Sequence, residues 1–404
     1  MWTKFKLKIM DFFFFNPGCE IEVSVGKTVY SLPKYPALLE RDLSVLPMCF
    51  ARRGDCVAYV PTKDTAFIEF WKERFQCEFM DVAELKHCRR EFDFFRPWGI
   101  SPRMYWIAGK LWLSDDYINT PVGRWDSDIH KQLFSRATSA DLFRRMADSV
   151  LYDESQWPLK SQLPRIATTR DEALEMFNDM PHGSVFKAIY GSSGRGIRIL
   201  RSNNMTPNAA KWIASMIKLH GAISCENLFD KVTDFSVHYD IDDGKAKFVG
   251  ISTFTTSETG AYVGSRVGRQ ERVPGFDDVV TKRLITMQIN ALENSPYSKY
   301  YCGPLGVDCM VYRDGGQLKI NPCVEVNCRY SMGRLAMEVG NLVGVDAVFT
   351  VFNKANRPSL PLQKPVFSDG KLVGGYLPLT PNDTQTFSAG IYCLDNPPVD
   401  DVRM

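Results

Sequence analysis

The 404-residue sequence lacks a charge of one sign. It carries 49 Lys and Arg against 47 Asp and Glu, a net charge of +2. The electrostatic footprint of a nucleic-acid binder is therefore absent. It lacks paired cysteines in a recognisable frame. The eleven cysteines are an odd number with no C-x-x-C pair, and although Cys323 and Cys328 stand close, no His or Cys set completes a zinc site. The thiols read as buried and reduced, as expected of a cytoplasmic protein. Histidine is scarce: the five (His87, His130, His182, His220, His238) are scattered, with no Ser-His-Asp or H-E-x-x-H arrangement, and read as structural. No stretch approaches the length of a membrane span. The opening, MWTKFKLKIMDFFFFNPGC, runs from basic to apolar, but Asp11 interrupts it, Pro17-Gly18 ends it and no small-residue cleavage site follows. It reads as a buried strand entering a loop rather than a signal peptide. There is no internal repeat and no low-complexity segment.

What remains is ordinary globular composition, 45% hydrophobic and 24% charged, in a chain long enough for two to three structural units. In the first 120 residues KLKIMDFFFF and CVAYVP read as strands, and YPALLERDLSVLPMCFARR and FIEFWKERF as helices. That alternation predicts a small α/β unit with a parallel sheet. A Trp-, Pro- and Gly-rich linker follows, and its Arg96, Arg103 and Arg124 suit an anionic organic substrate, although packing between domains explains the tryptophans equally well. Residues 127–150 read as a helix capped by Ser127 or Asp128, DEALEMFNDM as a second helix, and MTPNAAKWIASMIKLHG as a helix ending at Gly221. Strands are expected at SVFKAIY, GIRILRS, AISCENLF, DFSVHYDID and KAKFVGISTFTT, a helix at about 278–293, and a final hairpin before the helix SMGRLAMEVGNLVG.

Three stretches carry candidate chemistry. In VFKAIYGSSGRGI a strand lysine, Lys187, precedes the loop Gly191, Ser192, Ser193, Gly194, Arg195, Gly196. Ile197 and Arg198 stand where a P-loop needs Lys and Ser/Thr, and Ile199 where G-x-G-x-x-G needs its third glycine. The segment is either a turn whose amides fold over phosphate oxygens or a plain hairpin with an exposed lysine. In GVDCMVYRDGGQLKINPCVEVNCR, a turn at Gly315-Gly316 places Asp308 opposite Cys323, with Glu325 diagonal to it and Asn327 on the same face. Two carboxylates and an amide oxygen suit Mg²⁺, which also takes substrate phosphates; a solvated polar face on an edge hairpin is the alternative. In CENLFDKVTDFSV, Glu226 ends one strand and Asp234 begins the next, a crossing that can meet a purine and its ribose, or be merely solvated. The remaining candidate cations are Lys131, Arg266, Arg269 and Arg329, of which Arg266 and Arg269 lie in a glycine-containing loop.

Taken in order, these motifs resemble the ATP-grasp family over about residues 126–345, most specifically in GVDCMVY…CVEVNCR. The resemblance implies an α+β ATP-grasp fold, two α+β subdomains gripping ATP, preceded by a small α/β N-terminal domain. It implies that Lys187 and Lys131 hold phosphates, that Gly191 to Gly196 cover them, that Glu226, Asn227 and Leu228 meet adenine and Asp234 the ribose. It further implies that Asp308, Glu325 and Asn327 hold Mg²⁺ and that Arg329 faces the acyl phosphate or the substrate. Cys328 replaces the family's usual Pro after the Asn, and Asp234 its usual Glu. The expected domains are 1–125 (N-terminal α/β and linker), 126–222 and 223–355 (the two ATP-grasp subdomains) and 356–404 (a Pro-rich tail). The expected activity is ATP-dependent carboxylate–amine or carboxylate–thiol ligation through an acyl phosphate. Its partners are a small carboxylate and an amine, a peptide among the candidates, with no nucleic acid and no membrane. A phosphotransferase on the same fold and a non-catalytic nucleotide-binding protein are the alternatives.

Overall fold

The computed structural model describes residues 10–124, 126–180, 182–191, 196–201, 204–257, 262–356 and 363–394. Ser192, Ser193, Gly194 and Arg195 of the glycine loop lie outside the described residues. The chain divides into two compact units, residues 1–127 with 264–268 and 334–404, and residues 128–263 with 269–333. Among the described residues no helix is long and apolar enough to cross a membrane.

The first unit opens with the expected parallel sheet. Strands β1 (Asp11–Phe14), β2 (Cys56–Tyr59), β3 (Glu78–Asp81) and β4 (Phe94–Pro97) lie in the order β3-β2-β1-β4, every pairing parallel. A parallel sheet is covered on both faces, so its strands read as continuous apolar runs. Phe12, Phe13, Phe14 and Phe15 are accordingly all buried. Helices α1 (Cys19–Val25), α2 (Lys34–Asp42), α3 (Thr65–Phe75) and α4 (Pro102–Ala108) belong to the same unit. The expected long helix from Tyr35 to Arg53 stops at Asp42, and Leu46–Cys49 forms only a 3₁₀ turn around Pro47, whose missing N–H and fixed φ oppose a continuous α-helix.

The second unit contains two antiparallel sheets. Helix α5 (Ser127–Leu133) leads into α6 (Arg136–Ala147), so the single helix expected over 127–150 is broken at Phe134-Ser135, where the Ser135 hydroxyl caps α6 by accepting from Ala137 N–H. Strands β5 (Arg165–Ala167), β6 (Ser184–Ala188), β7 (Ile197–Leu200) and β8 (Ile223–Asn227) form the order β5-β8-β6-β7. Helix α7 (Arg170–Asn178) starts on a Thr169/Glu172 capping box. Helix α8 (Pro207–His220) begins with Pro207 in its first turn and ends as expected at Gly221, whose φ of +81° is the left-handed C-terminal conformation. Their apolar faces meet the sheet in a core that includes Phe177, Phe186, Ile213 and Ile223.

Strands β9 (Asp230–Asp242), β10 (Lys245–Thr256), β11 (Gly303–Asp314) and β12 (Gln317–Asn327) are consecutive neighbours in the second, eight-stranded sheet, in the order β12-β11-β9-β10. Helix α9 (Asp278–Glu293) occupies the expected 278–293 segment. Back in the first unit, β13 (Ala347–Asn353), β14 (Tyr376–Pro378) and β15 (Phe387–Cys393) pair in the order β13-β15-β14. The segment expected to be a tail after 355 therefore carries sheet structure. Its Phe387, Ala389, Ile391 and Cys393 are buried, as are Ser388 and Gly390 between them, so the strand is covered on both faces, which a proline count obscures.

Candidate functional site

The second unit holds a cleft of about 1040 Å³. One wall comes from β6, β7 and β8. Lys187 lies opposite Ser224 and Val185 opposite Glu226, so Lys187 and Glu226 are diagonal neighbours on one sheet face. Lys187 Nζ donates to Glu226 Oε2 at 2.6 Å, and Ser224 Oγ donates to Glu226 Oε1 at 3.0 Å. Both partners are nearly buried, at 6% and 8% exposure. Val185, Ile197 and Ile199 share this face and line the cleft with apolar surface suited to a planar ring. At the end of β8, Asn227 Nδ2 donates to Gln162 O at 3.3 Å and Leu228 N–H to Gly183 O at 3.1 Å.

The other wall comes from β9, β11 and β12. Asp308 stands directly opposite Glu325, and Gly306 opposite Asn327. The expected register, with Asp308 facing Cys323, is thus corrected. The pairing follows the Gly315-Gly316 turn as far as Met310 with Asn321, then shifts at an irregularity between Asp308 and Met310. Three residues of β12, Pro322, Cys323 and Val324, there face Cys309 alone. Pro322 has no N–H to give the ladder, and proline inside a paired strand is a signature of a bulge. The bulge brings the two carboxylates closer in register than an unbroken hairpin would.

Asp308 is firmly held. Ser236 Oγ donates to its Oδ1 at 2.5 Å and Asn327 Nδ2 to its Oδ2 at 2.9 Å. Burial raises the Asp308 carboxyl to about 6; the Glu325 charge adds to the rise, while the Ser236 and Asn327 hydrogen bonds and the Arg329 charge oppose it. Arg329 lines the same cleft and donates through Nη1 to Tyr330 O at 3.0 Å. Asp234, opposite Met310, accepts from Lys231 Nζ at 2.6 Å and Thr256 Oγ1 at 2.9 Å.

Sequence reasoning missed Arg136. This residue is 4% exposed and opens α6. Its Nη1 donates to Ala188 O at 2.5 Å, and its Nη2 to Gly191 O at 3.3 Å and to Glu325 Oε1 at 2.9 Å. One guanidinium thereby ties the start of the glycine loop to a carboxylate far along the chain. Nothing local in SRATSADL announces this, since the partners lie 52 and 189 residues away. Ser236 was equally unread, although its place two residues after Asp234 puts both on one strand face.

Lys131 is not brought to the cleft. It sits on α5 in a separate depression with Asp128 and Tyr190. Arg266 is engaged by Asp346 at 2.8 Å, and the Arg269 stem lies over Gly250. Gly196 takes φ +72° and its carbonyl accepts from Ala188 N–H at 2.8 Å, closing the base of the loop. A Cβ on Gly196 would come within 2.9 Å of Ala188 Cβ.

The donor set fits a hard divalent cation. Two carboxylates face each other, and charge repulsion between them is what a cation would relieve. Among the described residues no group of three or more His, Cys, Asp or Glu side chains could hold a metal. With two carboxylates and the Asn327 amide oxygen, further oxygen ligands would have to come from water or a bound phosphate.

No protein-family model matches the chain, and no curated protein matches it by sequence. Solved structures do match. Phosphoribosylamine–glycine ligase from Thermotoga maritima superposes with a TM-score of 0.50 at 13% identity, over 86% of this chain and 89% of that one. Biotin carboxylase from Campylobacter jejuni, solved as a β-γ-ATP complex, gives 0.50 at 12% identity over 95% and 87%. The biotin carboxylase domain of the Hydrogenobacter thermophilus 2-oxoglutarate carboxylase, solved with MgADP and bicarbonate, gives 0.50 at 11% identity over 87% and 84%. At such identities the likeness is one of architecture, and the neighbours share one architecture. The chain has the ATP-grasp fold.

Proposed function

We propose that the chain is an ATP-dependent ligase that joins a carboxylate to an amine, or to a thiol, through an acyl phosphate with Mg²⁺. One observation carries the reading: Lys187 and the Asp308–Glu325–Asn327 set face a single cleft of about 1040 Å³. The sheet of β5 to β8, which runs to Asn227, supplies the wall with Lys187, and β9, β11 and β12 the wall with the carboxylates. A free carboxylate is a poor electrophile, so activation comes first. Its oxygen attacks the γ-phosphorus of ATP, the bond to the ADP oxygen breaks, and an acyl phosphate forms. The amine nitrogen then attacks the acyl carbon, the bond to phosphate breaks, and an amide, ADP, phosphate and a proton result.

The protein's work is positioning and charge balance. Asp308, Glu325 and Asn327 would hold Mg²⁺, whose contribution is to neutralise phosphate charge. Lys187 is the phosphate cation, with incoming phosphate oxygens competing with Glu226 for its ammonium. Gly191 to Gly196 cover the phosphates. Val185, Ile197 and Ile199 flank the base beside Glu226, Asn227 and Leu228, and Asp234 serves the ribose. Arg329 balances charge at the acyl phosphate. Among the described residues the cysteines form no disulfide and ten of the eleven are buried, which supports a reducing, cytoplasmic location. Small-molecule acids and amines are the partners, and a peptide terminus is tested alongside them.

The test is ADP and phosphate release from MgATP with pools of amino acids, peptides and small carboxylates, with products followed by mass. ADP and free phosphate together with a product mass equal to acid plus amine minus water establish the ligase. A product that keeps the phosphate makes the chain a kinase. Nucleotide binding without turnover on any pool counts against catalysis.

A further inference from the structure

The first unit has a cavity of its own, of about 750 Å³, within the range of small-molecule sites. Two helices form its sides by regular spacing. On α2 and its exit, Ala37, Glu40, Arg41 and Ser44 follow i, i+3, i+4, i+7; on α4 and its exit, Arg103, Trp106, Ile107 and Lys110 follow the same series. Phe14, Phe15, Ala58 and Val60 at the C-terminal ends of β1 and β2 complete an apolar floor. Open parallel sheets bind ligands in the crevice outside the carboxyl ends of their strands.

The charges are arranged with one sign in excess. Four basic side chains (Arg41, Lys86, Arg103, Lys110) line the cavity against a single carboxylate, Glu40. Arg103 is already neutralised. Its Nε donates to Glu22 Oε1 at 2.6 Å, and its Nη1 and Nη2 to the two Glu40 oxygens at 2.9 and 2.5 Å. Glu22 is fully buried and also accepts from Ser101 Oγ. This network is framework, and it leaves Lys86 and Lys110 as the excess, with Arg41 shared with Asp42. Arg41 spends its Nε on Asp42 at 2.9 Å, while its Nη2 has no hydrogen-bond partner among the described residues. Trp106 is 49% exposed, with Lys110 Nζ 5.1 Å from its ring centroid.

We propose that this cavity is a second ligand site, for a small amphipathic organic carboxylate whose flat or branched apolar body lies on the floor and against Trp106 while its anionic end meets Lys110, Lys86 and Arg41. The expectation that linker arginines meet an organic anion is narrowed by this geometry. Arg96 is paired with Asp11 at 2.9 Å and Arg124 donates to Asn119 at 3.0 Å, and neither lines the cavity. Arg103 lines it as framework. The site does not depend on the nucleotide reading, because every residue in it belongs to the first unit.

Isothermal titration of the full chain with indole-3-acetate, 4-phenylbutyrate and 4-methylpentanoate, each beside its uncharged amide, tests the site. At least one acid should bind tenfold or more tightly than its amide. Trp106→Ala and Lys110→Glu, both at exposed positions, should each weaken that acid about tenfold or more, while Lys187→Met/Glu226→Leu in the other unit should leave it unchanged. Acid and amide binding alike, or no acid binding at about 1 mM, overturns the proposal. So does a loss on Lys187→Met/Glu226→Leu with none on Lys110→Glu, which would place the acid in the cleft.

Discussion

Two lysine–carboxylate pairs in the cleft of the second unit have the same length and different surroundings. Lys187–Glu226 and Lys231–Asp234 are both 2.6 Å. The first has side chains 7% and 11% exposed; in the second the lysine is 41% exposed and the aspartate 14%. Equal distance does not mean equal energy. In water-facing surroundings solvent screens the attraction, whereas a buried pair has already given up hydration, so removing one member strands the other. The difference separates a buried pair, for which we propose a competing phosphate anion, from a more exposed pair whose Asp234 we propose for the ribose.

The largest expected effect comes from breaking the buried pair. Lys187→Met strips Glu226 of its ion-pair partner and leaves it only the Ser224 hydroxyl, and it should destabilise the protein by about 3–5 kcal/mol. The double change Lys187→Met/Glu226→Leu should recover most of that, since it removes both charges. ATP turnover should be lost in both. Urea unfolding and phosphate release measured on the same samples check this. Equal instability of the single and double variants would mean that Glu226 is not stranded, and the contrast between the two pairs would lose its basis.

The Asp308–Glu325 pair sharpens the comparison from the opposite side, because here both members carry the same sign. Burial holds the folded Asp308 pKa at about 6 against an ordinary value of 3.8. A carboxyl raised in the folded state favours folding while protonated, so its contribution is intact below about pH 4 and is lost as pH rises to about 6. In metal-free protein Asp308→Asn should therefore gain about 2–3 kcal/mol of stability at pH 8 and almost none at pH 4. The same variant, like Glu325→Gln, should abolish turnover. Stability curves at the two pH values, with a chelator present, decide the matter; an Asp308→Asn variant equally stable relative to wild type at both would refute the strained-carboxylate account.

How much of this was open to reading depended on whether the partners were local. The α8 helix, with Pro207 near its start and Gly221 at its end, and the α9 helix were legible because their boundaries are written in neighbouring residues. So was the parallel sheet built on the run Phe12 to Phe15. The facing of Asp308 and Glu325 was only half legible. The two residues were singled out, but their register needed the bulge that Pro322 signals. Arg136 was not legible at all, because its three acceptors come from two distant parts of the chain. Lys131 shows the converse: a motif position can match while the fold puts the side chain elsewhere.

Arg136 offers a test between these extremes. Glu325 Oε1 accepts from Arg136 Nη2, a contact that fixes the carboxylate's orientation. Partners of this kind typically alter metal affinity by about 10–100-fold when removed. Arg136→Gln should weaken Mn²⁺ binding in the presence of ADP by that factor. It should also speed amide exchange in residues 188–191, where the same guanidinium holds two carbonyls. Arg136→Lys should restore the charge without the three-way reach, and so rescue affinity only in part. Unchanged Mn²⁺ affinity would reduce Arg136 to a packing residue.

The smallest effect belongs to the exposed pair, and it is the one that bounds the comparison. Lys231→Met removes a contact as short as the Lys187 contact, yet Asp234 keeps its bond from Thr256 Oγ1 at 2.9 Å and stays in reach of water. Stability should change by less than about 1 kcal/mol, and most of the change should vanish at 1 M salt. The KM for ATP should move only a few-fold. A loss as large as that of Lys187→Met would show that the outer rim of the cleft is as desolvated as its floor. The equal bond lengths would then report equal energies after all.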